Sequence, residues 1–473
     1  MISLDRKKIL LLLFLLMVSV AIPFIMVQTT YMVAPFIILT VLSIFVVGLT
    51  LANFQFGVYL LFIYGCSMFV LGKIINVHIP YGIAYDLIIL LTFLSTLVNA
   101  RNKKGFQWKT NEPIVIIQFI FYAYFILQIA NPNAVSIAAW VTSARFMTLF
   151  LLFYVFIHFF ENKKRVAYFN VLWMSIAMLV ASYGLFQEYF GLRDFEWKWL
   201  RADPNRLGLY YVWGHMRVFS FLSDPSAYGL FLGFCGLATL MMGFGPFSIA
   251  RKSLYFGMTM FMFYAMSFSG TRTAYAMVAV GIVLFIVANL RNPKILAGSS
   301  VLVLIFIILM VGPFYSGPIK RMRSTFEFEG DASMAVRDAK RIRLQAYVKT
   351  HPIGGGLNTA GNSGLALSRG HPLAGNYDPD SGYLRTALEM GWIGLLIAMS
   401  LNLAIVIKGI KNYFNLKDSL LKTYSIMYIV PFLGLSVAHY AQDALFQKPI
   451  NILVIATYAL MIKLQDIDEM EET

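Results

Sequence analysis

The sequence is poor in charged residues and in cysteine, and each shortage excludes a class of protein. Charged residues make up 13% and hydrophobic residues 59% of the 473 positions, whereas soluble domains carry about 25% charged residues. The chain is therefore not water-soluble. Cys66 and Cys235 are the two cysteines, and both fall inside apolar runs, so no disulfide framework links the exposed loops.

Motifs for metal and nucleotide binding are also missing from the sequence. The six histidines are scattered, and there is neither an HExxH motif nor a carboxylate-rich loop, so we predict no metal site and no cofactor. The absence of a P-loop and of a GxGxxG segment argues against a cytoplasmic nucleotide site. No internal repeat relates the two halves of the chain, which weakens a transporter interpretation.

What the sequence does contain is a succession of apolar runs, each long enough to cross about 30 Å of hydrocarbon as a helix. They predict an all-α polytopic membrane protein with about 12–14 transmembrane helices. Leu10–Val20 could be a signal-peptide core, but the apolar run continues past Pro23, so we interpret it as an uncleaved first helix. The predicted spans are 9–27, 31–51, 55–72, 81–98, 113–130, 138–160, 166–189, 224–245, 253–269, 272–290, 295–313, 385–407, 422–439 and 449–464.

The formal charge of +15 could indicate a nucleic-acid binder, but its distribution indicates a membrane topology instead. Basic residues cluster in alternate short loops, which is the pattern of cytoplasmic loops. Both termini are therefore predicted to be cytoplasmic, and the long loops 190–223 and 314–379 to face outward. We predict no nucleic-acid partner. The clustered residues are Arg6, Lys7, Lys8, Arg101, Lys103, Lys104, Lys163, Lys164, Arg165, Arg251, Lys252, Arg291, Lys294, Lys408, Lys411, Lys417 and Lys422.

These assignments divide the chain into four parts. Residues 1–189 are N-terminal transmembrane helices, 190–313 an outer loop with central transmembrane helices, 314–379 a large periplasmic loop, and 380–473 C-terminal transmembrane helices with a short cytoplasmic tail.

The large loop is the segment most suggestive of function, because long loops on one membrane face usually carry binding or chemistry. Residues 333–350 alternate apolar and basic side chains with fair helical periodicity, which predicts an amphipathic surface helix. His351-Pro352 would end that helix, and Gly354-Gly355-Gly356 would form a tight turn.

Ionisable residues inside predicted spans cost about 2.5–3.5 kcal/mol each, so they are candidates for function. Most of them lie at or near the outer ends of their helices, and His158 is the main inner exception. The polar content of the bundle is therefore predicted to open outward. The outer residues are Asp86, Arg145, Glu188, Arg272, Glu389, His439 and Asp443.

Arg217 and Arg272 are the candidate anion-binding residues. Two guanidinium groups near one outward cavity suit a diphosphate, because each can make bidentate, charge-assisted bonds to phosphate oxygens. Two alternatives stay open: Arg272 could be an interfacial anchor, and Arg217 could be solvated in its loop. Asp224, followed by Pro225, is predicted to cap a helix.

Asp380 is the candidate acid or base at the end of the large loop. It could instead only cap the helix predicted to start at Ser381, and His371 and Asp378 are alternatives for the acid–base role. A carboxylate at a helix N-terminus is stabilised in its ionised, proton-accepting form. The predicted substrate-binding residues are Arg145, Arg337, Arg341, His371, Tyr383 and Glu389.

Several of these segments resemble the O-antigen ligase and O-antigen polymerase superfamily of bacterial envelope glycosyltransferases. The ligases of that superfamily carry His, then Asn, Ser or Gln, nine residues, Gly, two residues, and Gly, Thr or Tyr. Asp380-Ser381 followed by nine residues, Gly391 and Gly394 keeps this spacing, with aspartate in place of histidine.

Four shorter segments strengthen the resemblance, which covers residues 210–410 best. His351–Gly356 is similar to a proline–glycine turn of the superfamily, and Ser269-Gly270-Thr271-Arg272 is similar to its small-residue–Arg helix start. Two segments are similar to looser patterns: Arg217 with Asp224-Pro225, and Arg145 through Leu149.

The resemblance implies a metal-independent, inverting glycosyltransferase that uses an undecaprenyl-diphosphate-linked oligosaccharide on the periplasmic face of the bacterial inner membrane. Arg217 and Arg272 would hold the diphosphate, and Asp380 would accept the proton of the attacking hydroxyl. The aspartate at position 380 favours a polysaccharide (O-antigen or exopolysaccharide) polymerase.

Two other functions stay open. An O-antigen ligase would transfer the glycan to lipid A-core, and a transporter or flippase of lipid-linked glycans would perform no chemistry. The implied partners are the lipid-linked donor, a glycan or lipid A-core acceptor, the lipid bilayer, and flippase and chain-length regulator proteins.

Overall fold

The computed structural model describes residues 33–75, 81–103, 105–212, 214–291, 293–313, 344–375 and 379–470, together with residues 319, 323 and 342. The first predicted span (9–27), Arg337, Arg341 and Asp378 lie outside these residues.

The described chain is a bundle of helices with one small hairpin, as the sequence predicts for an all-α membrane protein. In the hairpin, β1 (Tyr211–Val212) pairs antiparallel with β2 (His215–Met216). Short 3-10 turns at Gln128–Ala130 and Ala144–Met147 follow α4 and α5. The helices are α1 Val33–Ala52, α2 Phe54–Ile75, α3 Tyr81–Lys103, α4 Pro113–Leu127, α5 Ile137–Ser143, α6 Thr148–Phe159, α7 Lys163–Phe190, α8 Asp194–Arg201, α9 Pro204–Tyr210, α10 Pro225–Gly243, α11 Ile249–Ser267, α12 Arg272–Ala288, α13 Pro293–Val311, α14 Gly361–Leu367, α15 Gly382–Asn415, α16 Ser419–Ala438 and α17 Ile450–Met470.

The predicted spans and the observed helices agree closely. Within the described residues, every predicted span from 31–51 onward coincides with helix. In that part of the chain, 9 helices are long and apolar enough to cross a membrane. Shorter apolar helical stretches are Thr40–Ala52, within α1, and Arg272–Ala288. In the large loop, residues 344–350 are helical, so the predicted amphipathic helix is observed over its C-terminal part.

Three helices form the centre of the bundle. In α10, α17 and α16, 94%, 89% and 78% of the apolar window is buried inside the protein, whereas this share is between 28% and 44% in the other long helices. Helices that are apolar all round must be covered on every side. The outer helices therefore have apolar faces left for lipid, and the three central ones are covered by protein.

Capping residues explain where the central helices start. Asp224 Oδ1 accepts hydrogen bonds from the backbone amides of Ser226 at 2.8 Å and Ala227 at 3.0 Å, with Pro225 in the first turn. This confirms the predicted cap. Asp418 caps α16 in the same way through the amides of Leu420 and Leu421.

The polar contacts separate into two ends of the bundle. At one end, Lys163 pairs with Asp418 at 2.6 Å, Lys109 with Asp466 at 2.7 Å and Lys408 with Glu112 at 3.1 Å. All six residues lie at ends or loops predicted to be cytoplasmic. At the other end, Gln447 bonds Asp224 and Gln442 bonds Thr273. These contacts join segments predicted to be outside, so the loops group as the predicted topology requires.

Candidate active site

The connecting segment, residues 439–449 between α16 and α17, is the centre of the second polar end. Its side chains bond to three other elements: Gln447 Nε2 donates to Asp224 Oδ2 at 2.9 Å, and Gln442 Oε1 accepts from Thr273 Oγ1 at 2.8 Å. Asp443 Oδ2 lies 3.8 Å from Arg385 Nη1. This segment therefore connects the starts of α10, α12 and α15.

Arg217 is held by the turn that precedes α12. Its Nε donates to Ser269 O at 2.9 Å, Nη2 donates to Thr271 Oγ1 at 3.2 Å, and Nη1 donates to Leu209 O at 3.3 Å. Bonds from all three nitrogens fix the plane of the guanidinium group. Arg217 is thus held by protein groups and is not simply solvated in its loop, and its role in a site stays a prediction.

Arg272 is the first residue of α12 and directly follows the turn that Arg217 bonds. Its side chain is half-buried. The neighbouring Thr273 bonds Gln442 of the connecting segment. The two arginines therefore lie at one turn, and their binding of one anion stays a prediction.

Asp380 is exposed at the entrance to α15. Ser381 caps this helix by accepting a hydrogen bond from the amide of Leu384 at 3.2 Å, and the helix starts at Gly382. The alternative in which Asp380 is the cap is wrong, because the serine hydroxyl already takes that position.

Arg385 connects Asp380 to the rest of the site. Its Nη2 donates to Pro379 O at 3.4 Å, next to Asp380, and its Nη1 faces Asp443 at 3.8 Å. Asp443 follows Gln442, which bonds the turn after Arg272. The segments that carry the three predicted catalytic residues are therefore linked to the connecting segment through Thr273 and Arg385.

His439 is a buried, neutral histidine at the start of the connecting segment. Its Nδ1 accepts from the amides of Ala444 at 3.1 Å and Leu445 at 3.3 Å, and its ring fills the space beside Gly382, where a Cβ would lie 1.9 Å from Cε1. Burial lowers the pKa of His439 to about 4, against the opposing effect of Asp443.

The lowered pKa of His439 predicts acid sensitivity. The unfolded chain takes up a proton near pH 6.5, but the folded chain does not. The contribution of His439 to the free energy of unfolding is therefore fully present above pH 6.5 and is lost as the pH falls toward 4, with a loss of about 2 kcal/mol at pH 5. Thermal unfolding in detergent should show a steeper loss from pH 8 to pH 5 for the wild type than for His439→Gln. Equal slopes would contradict this assignment.

The proline–glycine turn packs directly against a kink in α15. Gly391 interrupts the helix with φ 71° and ψ −179°, which leaves carbonyl groups of the preceding turn without their usual helical partners. The amides of Gly355 and Gly356 donate to Leu388 O at 2.8 Å and Glu389 O at 2.9 Å. Two segments of the resemblance thus meet in one contact. The tight turn lies earlier than predicted, at His351–Gly354, where the amide of Gly354 donates to His351 O at 3.0 Å.

The predicted substrate-binding residues of this region are mostly turned inward. Glu389 is buried, and backbone amides of Asn358 and Ala360 bond its carboxylate. His371 is buried beside Gly355, and burial lowers its pKa. Tyr383 donates from its hydroxyl to Ser436 O at 2.9 Å. These contacts position the loop and α15.

Gly391→Ala should destabilise the protein by several kcal/mol. A Cβ there would lie 1.8 Å from Pro352 O, at a φ of +71° that costs a non-glycine residue about 1–3 kcal/mol on its own. Gly257→Ala is the matched control, because its Cβ would meet nothing within 4 Å. Thermal unfolding of both variants checks this, and a Gly391→Ala protein as stable as the control would contradict it.

Arg145 and Lys448 both lie beside Gly82, near the C-terminal end of the connecting segment, whereas Arg272 adjoins Gln442 of that segment through its neighbour Thr273. Arg145 pairs with Asp86. Sequence reasoning included Arg145 but not Lys448, Arg385 or Gln442. The density of polar residues in the short connection between two apolar spans could have indicated Gln442 and Lys448.

A small cavity of about 110 Å³ at this end is lined by side chains between Gln128 and Trp140 and by Leu357, and by none of the three predicted catalytic residues. Among the described residues, a cavity of about 440 Å³ opens at the opposite end of the bundle, beside His158, Glu161 and Lys463. No group of three or more His, Cys, Asp or Glu side chains within that part of the chain is placed to hold a metal ion.

Comparison with known families supports the general class of the protein. Residues 257–399 match the family model described as O-antigen ligase. This confirms the resemblance to the O-antigen ligase and polymerase superfamily. We call residues 257–399 the O-antigen ligase segment; it spans less than a third of the chain. No curated protein matches the chain.

The O-antigen ligase segment contains Arg272, Asp380 and Gly391, whereas Arg145, Arg217 and the connecting segment lie outside it. The match supports a membrane enzyme that transfers glycans, with lipid-linked glycan and the bilayer as its general partners.

Proposed function

We propose that the protein is an inverting, metal-independent polysaccharide polymerase that uses undecaprenyl-diphosphate-linked oligosaccharide at the periplasmic face of the bacterial inner membrane. The observation that carries the proposal is the shared turn of Arg217 and Arg272, with the segment of Asp380 joined to it through the connecting segment. The outward orientation of this end rests on the positive-inside pattern.

The two arginines act on the departing diphosphate. As the bond between the anomeric carbon and the phosphate oxygen breaks, the electron pair leaves with the diphosphate and negative charge grows on it. Guanidinium groups already fixed in place stabilise this charge without reorganisation, which is the largest contribution in many enzymes. The hydrogen bonds of Arg217 to Ser269 and Thr271 supply such fixation.

Asp380 acts on the acceptor. The acceptor hydroxyl attacks the anomeric carbon from the side opposite to the diphosphate, so the anomeric configuration inverts, and its proton passes to the carboxylate of Asp380. An exposed carboxylate at the mouth of the site is accessible to an incoming glycan. Arg385, between Pro379 and Asp443, limits how this entrance can move.

A second candidate is an O-antigen ligase that transfers the glycan to lipid A-core. The matched family description favours it, whereas aspartate at position 380, where the ligase signature has histidine, favours the polymerase.

The deciding experiment is an assay of purified protein in lipid vesicles with a synthetic lipid-linked repeat. A ladder of longer lipid-linked products is the expected result. Transfer to added lipid A-core without a ladder would identify the ligase instead. Failure of both reactions would overturn a glycan-transferring role at this site.

A further inference from the structure

A second cationic cluster lies near the C-terminal end of the connecting segment. A Cβ on Gly82 would be 2.5 Å from Arg145 Nη2 and 3.5 Å from Lys448 Nζ, so both cations converge on the small surface that this glycine leaves open. Asp86 is one helical turn farther along α3 and pairs with Arg145 Nε at 2.5 Å.

Local structure fixes both cations. Arg145 lies in the 3-10 turn Ala144–Met147, which interrupts the helical path between α5 and α6, and such interruptions often occur at functional positions. Lys448 is the second-last residue of the connecting segment, and its ammonium group lies 4.3 Å from the centre of the Tyr85 ring. The cluster is therefore tied to the same segment that carries Gln442 and Asp443.

The charges of this cluster do not balance. Within the described part of the chain, two cations, Arg145 and Lys448, interact here with one carboxylate, that of Asp86, and like charges this close repel. Burial lowers the pKa of Lys448; Asp86 opposes that effect and Arg145 adds to it. A bound anion would remove the repulsion. The Arg145 side chain is 45% exposed, so such an anion could reach it.

The surroundings indicate that this anion is attached to a lipid. Ile83 and Leu87, next to Gly82 and Asp86 on α3, are 55% and 49% exposed and lie one helical turn apart. They form an apolar strip beside the cations, as an acyl or polyprenyl chain would require.

We propose that Arg145 and Lys448 bind the diphosphate of the acceptor lipid, while Arg217 and Arg272 bind that of the donor. This inference rests on the proposed polymerase function, in which donor and acceptor both carry a lipid diphosphate. The connecting segment, bonded to both clusters, would hold the two lipids on either side of the reacting sugars.

Direct binding tests the inference without turnover. The probe is a lipid-diphosphate repeat whose anomeric oxygen is replaced by methylene, so it can accept a glycan but cannot donate one. Native mass spectrometry should show two molecules of this probe bound to the wild type. It should show one bound to the double variant Arg145→Gln/Lys448→Gln and one bound to Arg272→Gln. Lys411→Gln removes one exposed cation at the opposite end and should keep both probe molecules bound.

Kinetics give an independent readout. With native donor, the double variant should raise the KM of the methylene acceptor by 10-fold or more but leave unchanged the KM of the same oligosaccharide without lipid diphosphate. Arg145→Lys keeps the positive charge, so its affinity for the methylene acceptor should lie between those of the wild type and the double variant. Ladder formation by the wild type tests the polymerase function separately.

Three results would overturn the inference. The first is one probe molecule bound to the wild type, and the second is two bound to the double variant. The third is displacement of the second probe molecule from the wild type by phosphatidylglycerol at the same concentration as the probe. The last result would identify the cluster as a site for ordinary phospholipid headgroups.

Discussion

Arg272→Gln is expected to lower glycan elongation by roughly 10²–10³-fold while the protein still accumulates in the membrane, because removal of one fixed donor to a developing anion typically costs that much in kcat. Arg272 is half-buried at the first turn of α12, so glutamine fits the position without a clash. The measurement is the rate of ladder formation in vesicles, normalised to the amount of folded protein.

Arg291→Gln is the matched control for Arg272→Gln. Arg291 is exposed and follows the opposite end of the same helix, so its loss should leave elongation near the wild-type rate. Arg272→Lys retains the charge but not the planar fork, and we expect an intermediate rate. Wild-type activity in Arg272→Gln would remove this residue from the diphosphate site.

The fold could be predicted from sequence because membrane crossing imposes a length and a composition on each helix. Even the short apolar run 449–464 proved to be α17, one of the most buried helices in the protein. Its polar residues Asn451 and Thr457 are buried against neighbouring helices. A hydropathy pattern locates such a helix but does not tell whether protein or lipid covers it.

The candidate site could be predicted only in part, because its parts come from segments distant in sequence. Arg272 and Asp380 stood out through their motifs. The contribution of residues 439–449 depends on contacts such as Thr273–Gln442 and Arg385–Asp443, and no local pattern encodes them. Gly391 was predicted by spacing alone, and its physical reason, the close approach of Pro352 O, emerged from the structure.

Asp380→Asn is expected to lower elongation by roughly 10²–10⁴-fold, the usual contribution of a general base. Asparagine has nearly the same shape as aspartate but cannot accept the proton of the acceptor hydroxyl. Since Ser381, not Asp380, caps α15, the substitution should leave the helix and the thermal stability unchanged. A lowered kcat with an unchanged donor KM is the expected kinetic result.

Two further variants separate chemistry from structure at this helix start. Ser381→Ala removes the cap and should cost about 1 kcal/mol of stability while the base remains, so its specific activity should stay within a few-fold of wild type. Asp194→Asn removes an exposed carboxylate from another helix start in the outer loop and should change neither property. If Asp380→Asn elongates glycans at the wild-type rate, the proton goes elsewhere, and the carboxylate of Asp443 beside Arg385 becomes the group to test.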